Sequence, residues 1–305
     1  MKDRLALAAA AATGVQVGAA IVATRFVVGE TTPGALAMMR YAIGFLCLLP
    51  AAVSMRRVRF ERRDLLPIAL LGITQFGILV ALLNVGLQTV PAARAALIFA
   101  CFPLLTMLLA AALGHERLTL AKAAGVVVTI AGVGVALGVH PAGAHGAPQA
   151  AGVVPAEWRG MLAVAAATLC GAACSVLYRP YLRKYPTVPV SAFAMLASVV
   201  FLALVAALEG FFRTPLAITP TGWAAIAFIG ASSGIGYFLW LWALRHAPAT
   251  SVAVFLGLSP ITAALLGVVL LGEPLTAGVV LGTLLVLAGL WVAHRPAGAA
   301  AAPAA

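Results

Sequence analysis

Polar positions along this chain are few and bunched. Apolar runs of leucine, valine, alanine and glycine follow one another, broken by RFVVGETTP, MRRVRFERRD, GLQTVPAAR, GHERLT, RPYLRKYPTVP, EGFFRTPLAITPTG, RHAPAT and GEPLT. An apolar stretch of about 18 residues or more reads as a membrane-spanning helix. The pattern predicts ten of them, at 5–24, 34–54, 66–84, 93–113, 120–139, 159–178, 190–208, 222–244, 250–271 and 276–293. The longest interruption, HPAGAHGAPQAAGVVPAEWR, separates the fifth span from the sixth, and the tail RPAGAAAAPAA has a low-complexity composition expected to be disordered.

The chain also repeats itself. Displaced by 157 residues, Gly14 falls on Gly171, Gly77 on Gly234, Pro91 on Pro248 and Pro103 on Pro260. The same register aligns Glu116-Arg117-Leu118-Thr119 with Glu273-Pro274-Leu275-Thr276, then Gly125 with Gly282 and Gly132 with Gly289. The first run follows MKDR and has the form of a signal peptide, but its place in the repeat assigns it to the folded unit. The expected organisation is a first repeat at 1–139, an external linker at 140–158, a second repeat at 159–294 and a disordered tail at 295–305. Glu116 and Glu273, opening the fifth and tenth spans, read as turn caps that meet the positive end of a helix dipole.

Five spans per repeat is an odd number, so the second half must enter the membrane inverted. Charge tests this, because Lys and Arg collect on the cytoplasmic side. With the N-terminus inside, 14 of the 19 Lys and Arg fall in cytoplasmic segments and four outside, and Arg40 lies within the second span. MRRVRFERRD carries five arginines where FRTPLAITPT, its counterpart, carries one. The net charge of +11 is thereby explained by topology and calls for no nucleic acid. A chain 64% hydrophobic and 9% charged has no room for a soluble domain.

Inverted repeats about an axis in the membrane plane characterise secondary transporters. AALIFACFPLLTMLLAAALGHERLTLAKAAGVVVTIAGV and SVAVFLGLSPITAALLGVVLLGEPLTAGVVLGTLLVLAGL resemble the two copies of the EamA module of the drug/metabolite transporter superfamily, with an intrahelical Pro, a Glu turn followed by Leu-Thr, and a G-x6-G helix. Arg25, Pro33 and MMRYAIGFL are similar to the family's basic residue, proline and second-helix arginine. His115 departs from the glycine usual before the glutamate. The resemblance implies a ten-helix basket with spans 1, 3, 4, 6, 8 and 9 around a central cavity and spans 5 and 10 at the periphery. Small-residue pairs Gly134/Gly138, Gly278/Gly282, Gly14/Gly18 and Gly230/Gly234 suit close helix contacts. Pro103 and Pro260 are candidate symmetric hinges.

Polar groups deep in hydrocarbon are costly without partners, so they are the candidate binding residues. They are Gln16, Gln75, Ser175, Ser232, Ser233 and Ser259, of which Gln75 and Ser232 are repeat-equivalent. Phe99, Tyr178, Tyr237 and Trp240 lie on the same spans as candidate cavity walls, or, for Tyr178 and Trp240, as an interfacial aromatic belt. Arg40 is the arginine inside a span; with Arg25 and Arg94 it forms a set in one half able to attract a carboxylate, against snorkelling or pairing with Glu30.

None of the eight acidic residues falls in the middle of a span, which argues against a small-multidrug mechanism that trades a proton on a buried carboxylate for a cationic drug. Cys47, Cys101, Cys170 and Cys174 lie within spans, and the five histidines scatter over loops and ends, so no metal, cofactor or enzyme site is expected. The reading is an all-α, ten-helix membrane protein of two inverted repeats. It is expected to export a small metabolite, with an amino acid or derivative leading and drug-like or nucleoside-like compounds the alternative. An integral-membrane enzyme or scaffold with no solute path is the other class. Sixteen arginines against three lysines hint at a GC-rich bacterial genome, hence an inner membrane with both termini cytoplasmic. The partners expected are substrate and lipid, with a homodimer an open possibility.

Overall fold

The structure, a computed structural model, describes residues 2–55, 58–114, 120–136, 155–213, 217–246 and 255–293. The 115–119 turn with Glu116, most of the 140–158 linker and the 295–305 tail lie outside the described residues.

Among the described residues the chain is helical and holds no strand. Three predicted spans are single helices in the first half: α1 (Lys2–Val27), α2 (Pro33–Ser54) and, fifth, α7 (Leu120–Ala136). The third is α3 (Arg62–Gly72) and α4 (Leu79–Leu87) joined by a π turn, Ile73–Ile78, and the fourth is α5 (Ala92–Phe99) and α6 (Phe102–Ala112). In the second half come α8 (Pro155–Leu177), the short α9 (Arg179–Lys184), α10 (Thr187–Leu208) and α11 (Pro220–His246). A 3₁₀ turn, Phe255–Gly257, leads into α12 (Leu258–Leu271), and α13 (Ala277–Ala293) follows. Among the described residues six spans are long and apolar enough to cross a membrane, and α7, α12 and α13 are shorter apolar helices.

Local chemistry sets the ends. Thr32 caps α2 by accepting from the Ala35 N–H, and Pro33 takes the first position, where a missing N–H costs nothing. Gly272 closes α12 with φ +64°, a left-handed conformation that a side chain would strain. Thr276 then caps α13, its Oγ1 3.3 Å from the Val279 N–H. Both prolines singled out as hinges sit in a first turn, Pro103 in α6 and Pro260 in α12, each just after an interruption at 100–101 or 255–257. They are not mid-helix kinks; they restart a helix that has already broken.

Packing couples the halves. α7 lies along α13, α2 against both α10 and α11, α1 against α11 and α12, and α8 against α4, the π turn, α5 and α6. The α7/α13 seam is antiparallel and built on glycine. A Cβ on Gly282 would come within 2.6 Å of the Gly132 carbonyl, and one on Gly289 within 2.6 Å of the Gly125 carbonyl. Gly278 meets Val135, but Gly134, expected in this contact, faces open space. Gly132 is the seam residue, two positions away. Gly230 and Gly234 fit against Ile43, Gly44 and Cys47 of α2, and Gly14 and Gly18 against residues 255–263. One core of Ile, Leu, Val and Ala from both halves fills the interior.

Candidate functional site

Charges gather at two ends of the bundle. At one, which we call the glutamate end, three carboxylates each bind the start of a helix in the other half. Glu30 follows α1 and accepts from the Thr219 N–H at 2.8 Å, just ahead of α11. Glu209 follows α10 and accepts from the Gly34 and Ala35 N–H groups at the start of α2. Glu273 follows α12 and accepts from the Ala92 N–H at 2.9 Å, the first residue of α5. Each places a negative charge where backbone N–H groups lack helical partners and the helix dipole is positive. Glu273 is therefore a cap, but of α5 rather than of the helix it precedes, which Thr276 caps.

Arg25 and Arg94, two of the three arginines of the set with Arg40, belong to the same arrangement. Arg25 lies 3.5 Å from Glu273 and donates to the Leu87 and Gln88 carbonyls, and Arg94 pairs with Glu157. A recess of about 180 Å³ opens beside Arg94, Glu157 and Glu273. Its polar lining is already paired, and it is smaller than the roughly 300–1,000 Å³ of ordinary ligand pockets. At the opposite end Lys184 bridges Glu61 and Asp64 at 2.6 Å each, and Tyr185 Oη donates to Asp64 and accepts from the Glu61 N–H. The hydrogen bond from Lys184 holds the Glu61 carboxyl below its ordinary range, with Arg63 adding to it.

The middle is different. Arg40, about two turns into α2, donates from Nε to Ser233 Oγ at 2.7 Å, and its guanidinium lies 5.6 Å from the centre of the Tyr41 ring. No carboxylate pairs with it among the described residues, and Glu30, named as an alternative partner for this arginine set, is engaged on Thr219 instead. Ser233 Oγ in turn donates to the Ile229 carbonyl. From α1, Gln16 Nε2 donates to the Ser232 carbonyl at 2.8 Å and contacts Ser232 Oγ. A carbonyl can only accept, so the amide orientation is fixed and Oε1 is left against Gly236, whose missing side chain makes the room. That Oε1 has no partner.

An aromatic run crosses the same core. The Tyr41 and Phe76 rings are 5.2 Å apart, Phe76 and Tyr237 6.1 Å, and Tyr237 Oη lies 3.0 Å from Ser191 Oγ. The structure thus joins Gln16, Arg40, Ser232, Ser233 and Tyr237, with α1, α2 and α11 meeting at the 232–237 turns. Tyr178 packs on this core, and Tyr178 Oη and Gln75 Oε1 are buried oxygens without partners among the described residues. Ser259 is buried with an unpartnered Oγ where α12 meets α1. Ser175 is not brought in, because its hydroxyl donates to Gly171 of its own helix. Phe99 stacks near Phe102 at 5.7 Å. The Trp240 side chain lies outside the described residues.

Tyr41, Phe76 and Ser191 escaped the sequence reading. Aromatic residues in an apolar run look like ordinary core, and the available signal was adjacency, Tyr41 following Arg40 and Phe76 following Gln75. Cys47, Cys101, Cys170 and Cys174 are free thiols, and no cluster of His, Cys, Asp or Glu able to hold a metal occurs among the described residues.

Known proteins resemble this chain in sequence and in fold. A probable terminal-alkyne amino-acid exporter of Streptantibioticus cattleyicolor is 32% identical over 263 residues, 85% of this chain and 83% of its own. An aromatic amino acid exporter of Ancylobacter novellus is 30% identical over 185 residues, 60% of each chain. A solved crystal structure, 24% identical, superposes with a TM-score of 0.66 over 93% of this chain and 94% of its own, which shows the fold. The EamA-like transporter family matches residues 4–138 and again 158–294. The chain is a multi-pass membrane protein that belongs to the EamA-like transporter family.

Proposed function

We propose that this chain is a secondary transporter that exports an amino acid or close derivative, by alternating access between two inverted repeats. The observation that carries the proposal is Arg40. An arginine at a helix centre costs about 2.5–3.5 kcal/mol on insertion scales. Arg25 and Arg94 meet carboxylates, whereas Arg40 has a serine and a ring. A guanidinium held in place with donors to spare suits a substrate carboxylate. The names of two relatives, both amino-acid exporters, point the same way.

Alternating access draws support from the packing. Exchanging residue i for i + 157 carries the Gly132–Gly282 contact onto Gly289–Gly125, and both exist. Two helices related this way and running antiparallel turn about an axis perpendicular to both, the axis expected of an inverted repeat. Arginine distribution assigns the glutamate end to the outside and the Lys184 end to the cytoplasm, with both termini cytoplasmic in a bacterial inner membrane. Opening outward then breaks the three carboxylate caps, and opening inward breaks the Lys184 bridges.

Counterflow of radiolabelled amino acids in proteoliposomes tests the function. Wild type is expected to exchange an amino acid, and Arg40→Ala to lose at least about tenfold in kcat/KM at normal membrane abundance, since a charge-assisted bond is removed. Exchange of drug-like or nucleoside-like compounds with no amino-acid flux overturns the substrate assignment, and no flux of any solute points to a scaffold. Accessibility tags in 55–64 and 212–221 are expected on opposite faces; the same face refutes the inversion.

A further inference from the structure

The segment that leads into α3 carries more positive charge than its neighbours neutralise. Residues 59–64 hold three arginines and two carboxylates. Both carboxylates are taken. Lys184 bridges Glu61 and Asp64, Arg63 Nε lies 2.7 Å from Glu61, and Tyr185 Oη donates to Asp64. Arg59 and Arg62 are exposed, and neither meets a carboxylate among the described residues. Arg56 and Arg57, just before them in the chain, lie outside the described residues. The bias of arginine toward one face of the membrane accounts for their number; the packing shows which of them keep donors free.

What lies behind these two cations is apolar. On α3 a row at four-residue spacing runs from Arg62 to Leu66, 67% exposed, and Leu70, 53% exposed. Side chains four apart share a helix face. One face of α3 therefore presents a guanidinium at its start and leucines beyond it, whereas Ile68, on the other side, is fully buried. Arg62 to Leu70 is about 12 Å along the helix axis, close to the roughly 15 Å of hydrocarbon in one leaflet. In a membrane protein such a face meets lipid, and the charge at its end decides which lipid.

We propose that Arg59 and Arg62 form a binding site for the phosphate of an anionic phospholipid, whose acyl chain lies along Leu66 and Leu70. Arg59 is three residues ahead of Arg62, near enough for both long side chains to reach one headgroup, and a guanidinium fork suits phosphate oxygens. The occupant is a lipid and not free phosphate because the two cations end an apolar row that faces the membrane. It is anionic because Glu61 and Asp64 are already matched, so a net negative headgroup balances what is left. A choline headgroup brings its own cation to the phosphate and gains less. The site depends neither on the substrate nor on Arg40. A lipid bound there steadies the start of α3, which Lys184 ties to the other half, and so adds to the stability of the folded protein.

The test titrates purified protein, in an uncharged detergent, with phosphatidylglycerol, phosphatidylcholine, glycerol 3-phosphate or inorganic phosphate, and follows the melting temperature. Phosphatidylglycerol is expected to raise it saturably and well beyond phosphatidylcholine, and the two soluble phosphates are expected to have no effect at the same concentrations. Arg59→Gln and Arg62→Gln are each expected to raise the phosphatidylglycerol midpoint about fivefold, the worth of one basic contact with an anionic membrane surface. The double variant is expected to lose the phosphatidylglycerol increment while its lipid-free melting stays at the wild-type value. Arg183→Gln removes an exposed arginine from the same end of the bundle but not from this row, and is expected to leave the midpoint in place. Equal stabilisation by both lipids reduces the row to ordinary lipid contact, and stabilisation by a soluble phosphate makes it an anion site without a lipid. As large a shift from Arg183→Gln as from Arg62→Gln makes it a diffuse attraction of the whole basic surface. Each of these overturns the inference, and the midpoints of the single variants decide it should the double variant fail to fold.

Discussion

The glutamate end and the middle of the bundle use polar groups in opposite ways. At the glutamate end Glu30, Glu209 and Glu273 each close on a helix start from the other half, and Arg25 and Arg94 have carboxylate partners. In the middle, among the described residues, Arg40 has no carboxylate, and Gln16, Gln75 and Tyr178 end in buried oxygens without partners. Charges at the glutamate end are matched by charges or helix starts across the halves, whereas the central groups, though Gln16 and Arg40 also reach across, keep polar atoms to spare. On the function proposed above, the ends serve structure and gating and the centre receives the substrate.

The comparison breaks most readily at Glu273. Replacing it with Leu leaves the Ala92 N–H without its acceptor and removes the carboxylate beside Arg25, which keeps the Leu87 and Gln88 carbonyls; a buried donor left unpaired costs about 1–3 kcal/mol. The expected result is a lower melting temperature in detergent with the substrate KM unchanged. A changed KM in a protein of undiminished stability would place the glutamate end in the substrate path. Gln16→Leu is the converse. Ser232 keeps its helical backbone bond, so stability should move by less than about 1 kcal/mol, while transport weakens severalfold through the lost Oε1. A large melting shift with unaltered transport would make Gln16 a packing residue and erase the distinction.

Much of this was legible in the chain because it follows from costs that act locally. Arg40 stands out in an apolar run since an intramembrane charge is expensive, and the 157-residue register survives because Gly125, Gly132, Gly282 and Gly289 must let two backbones touch. Partners were less legible. That Glu273 binds a helix start cannot be told apart from its own turn by sequence, since the Ala92 N–H it caps lies 181 positions away. Gly134 was misassigned for a related reason: glycines two apart on α7 point to different sides, and helical spacing alone does not say which side meets α13. The π turn left no periodic signature, and the contacts of α10 at Gly72 and Gly77 come from residues far outside the segment.

The smallest effect lies at the far end and limits how far the comparison extends. Lys184 bridges Glu61 and Asp64 there, but Glu61 and Lys184 are solvent-exposed enough for water and salt to weaken the attraction. Glu61 has its carboxyl pKa lowered, first by the hydrogen bond from Lys184 and then by Arg63. A lowered folded-state value means the contribution is complete above the unfolded carboxyl value and disappears as pH falls through the folded one. Lys184→Met should therefore reduce the melting temperature slightly at pH 7. The difference from wild type should shrink on acidification below the ordinary glutamate range, and shrink again in high salt. A difference that persists in acid and in salt would mean that Lys184 acts through something other than its carboxylate bridges, with its Nζ 5.3 Å from the centre of the Tyr185 ring as the remaining contact, and this end would then not be a counterpart of the glutamate caps.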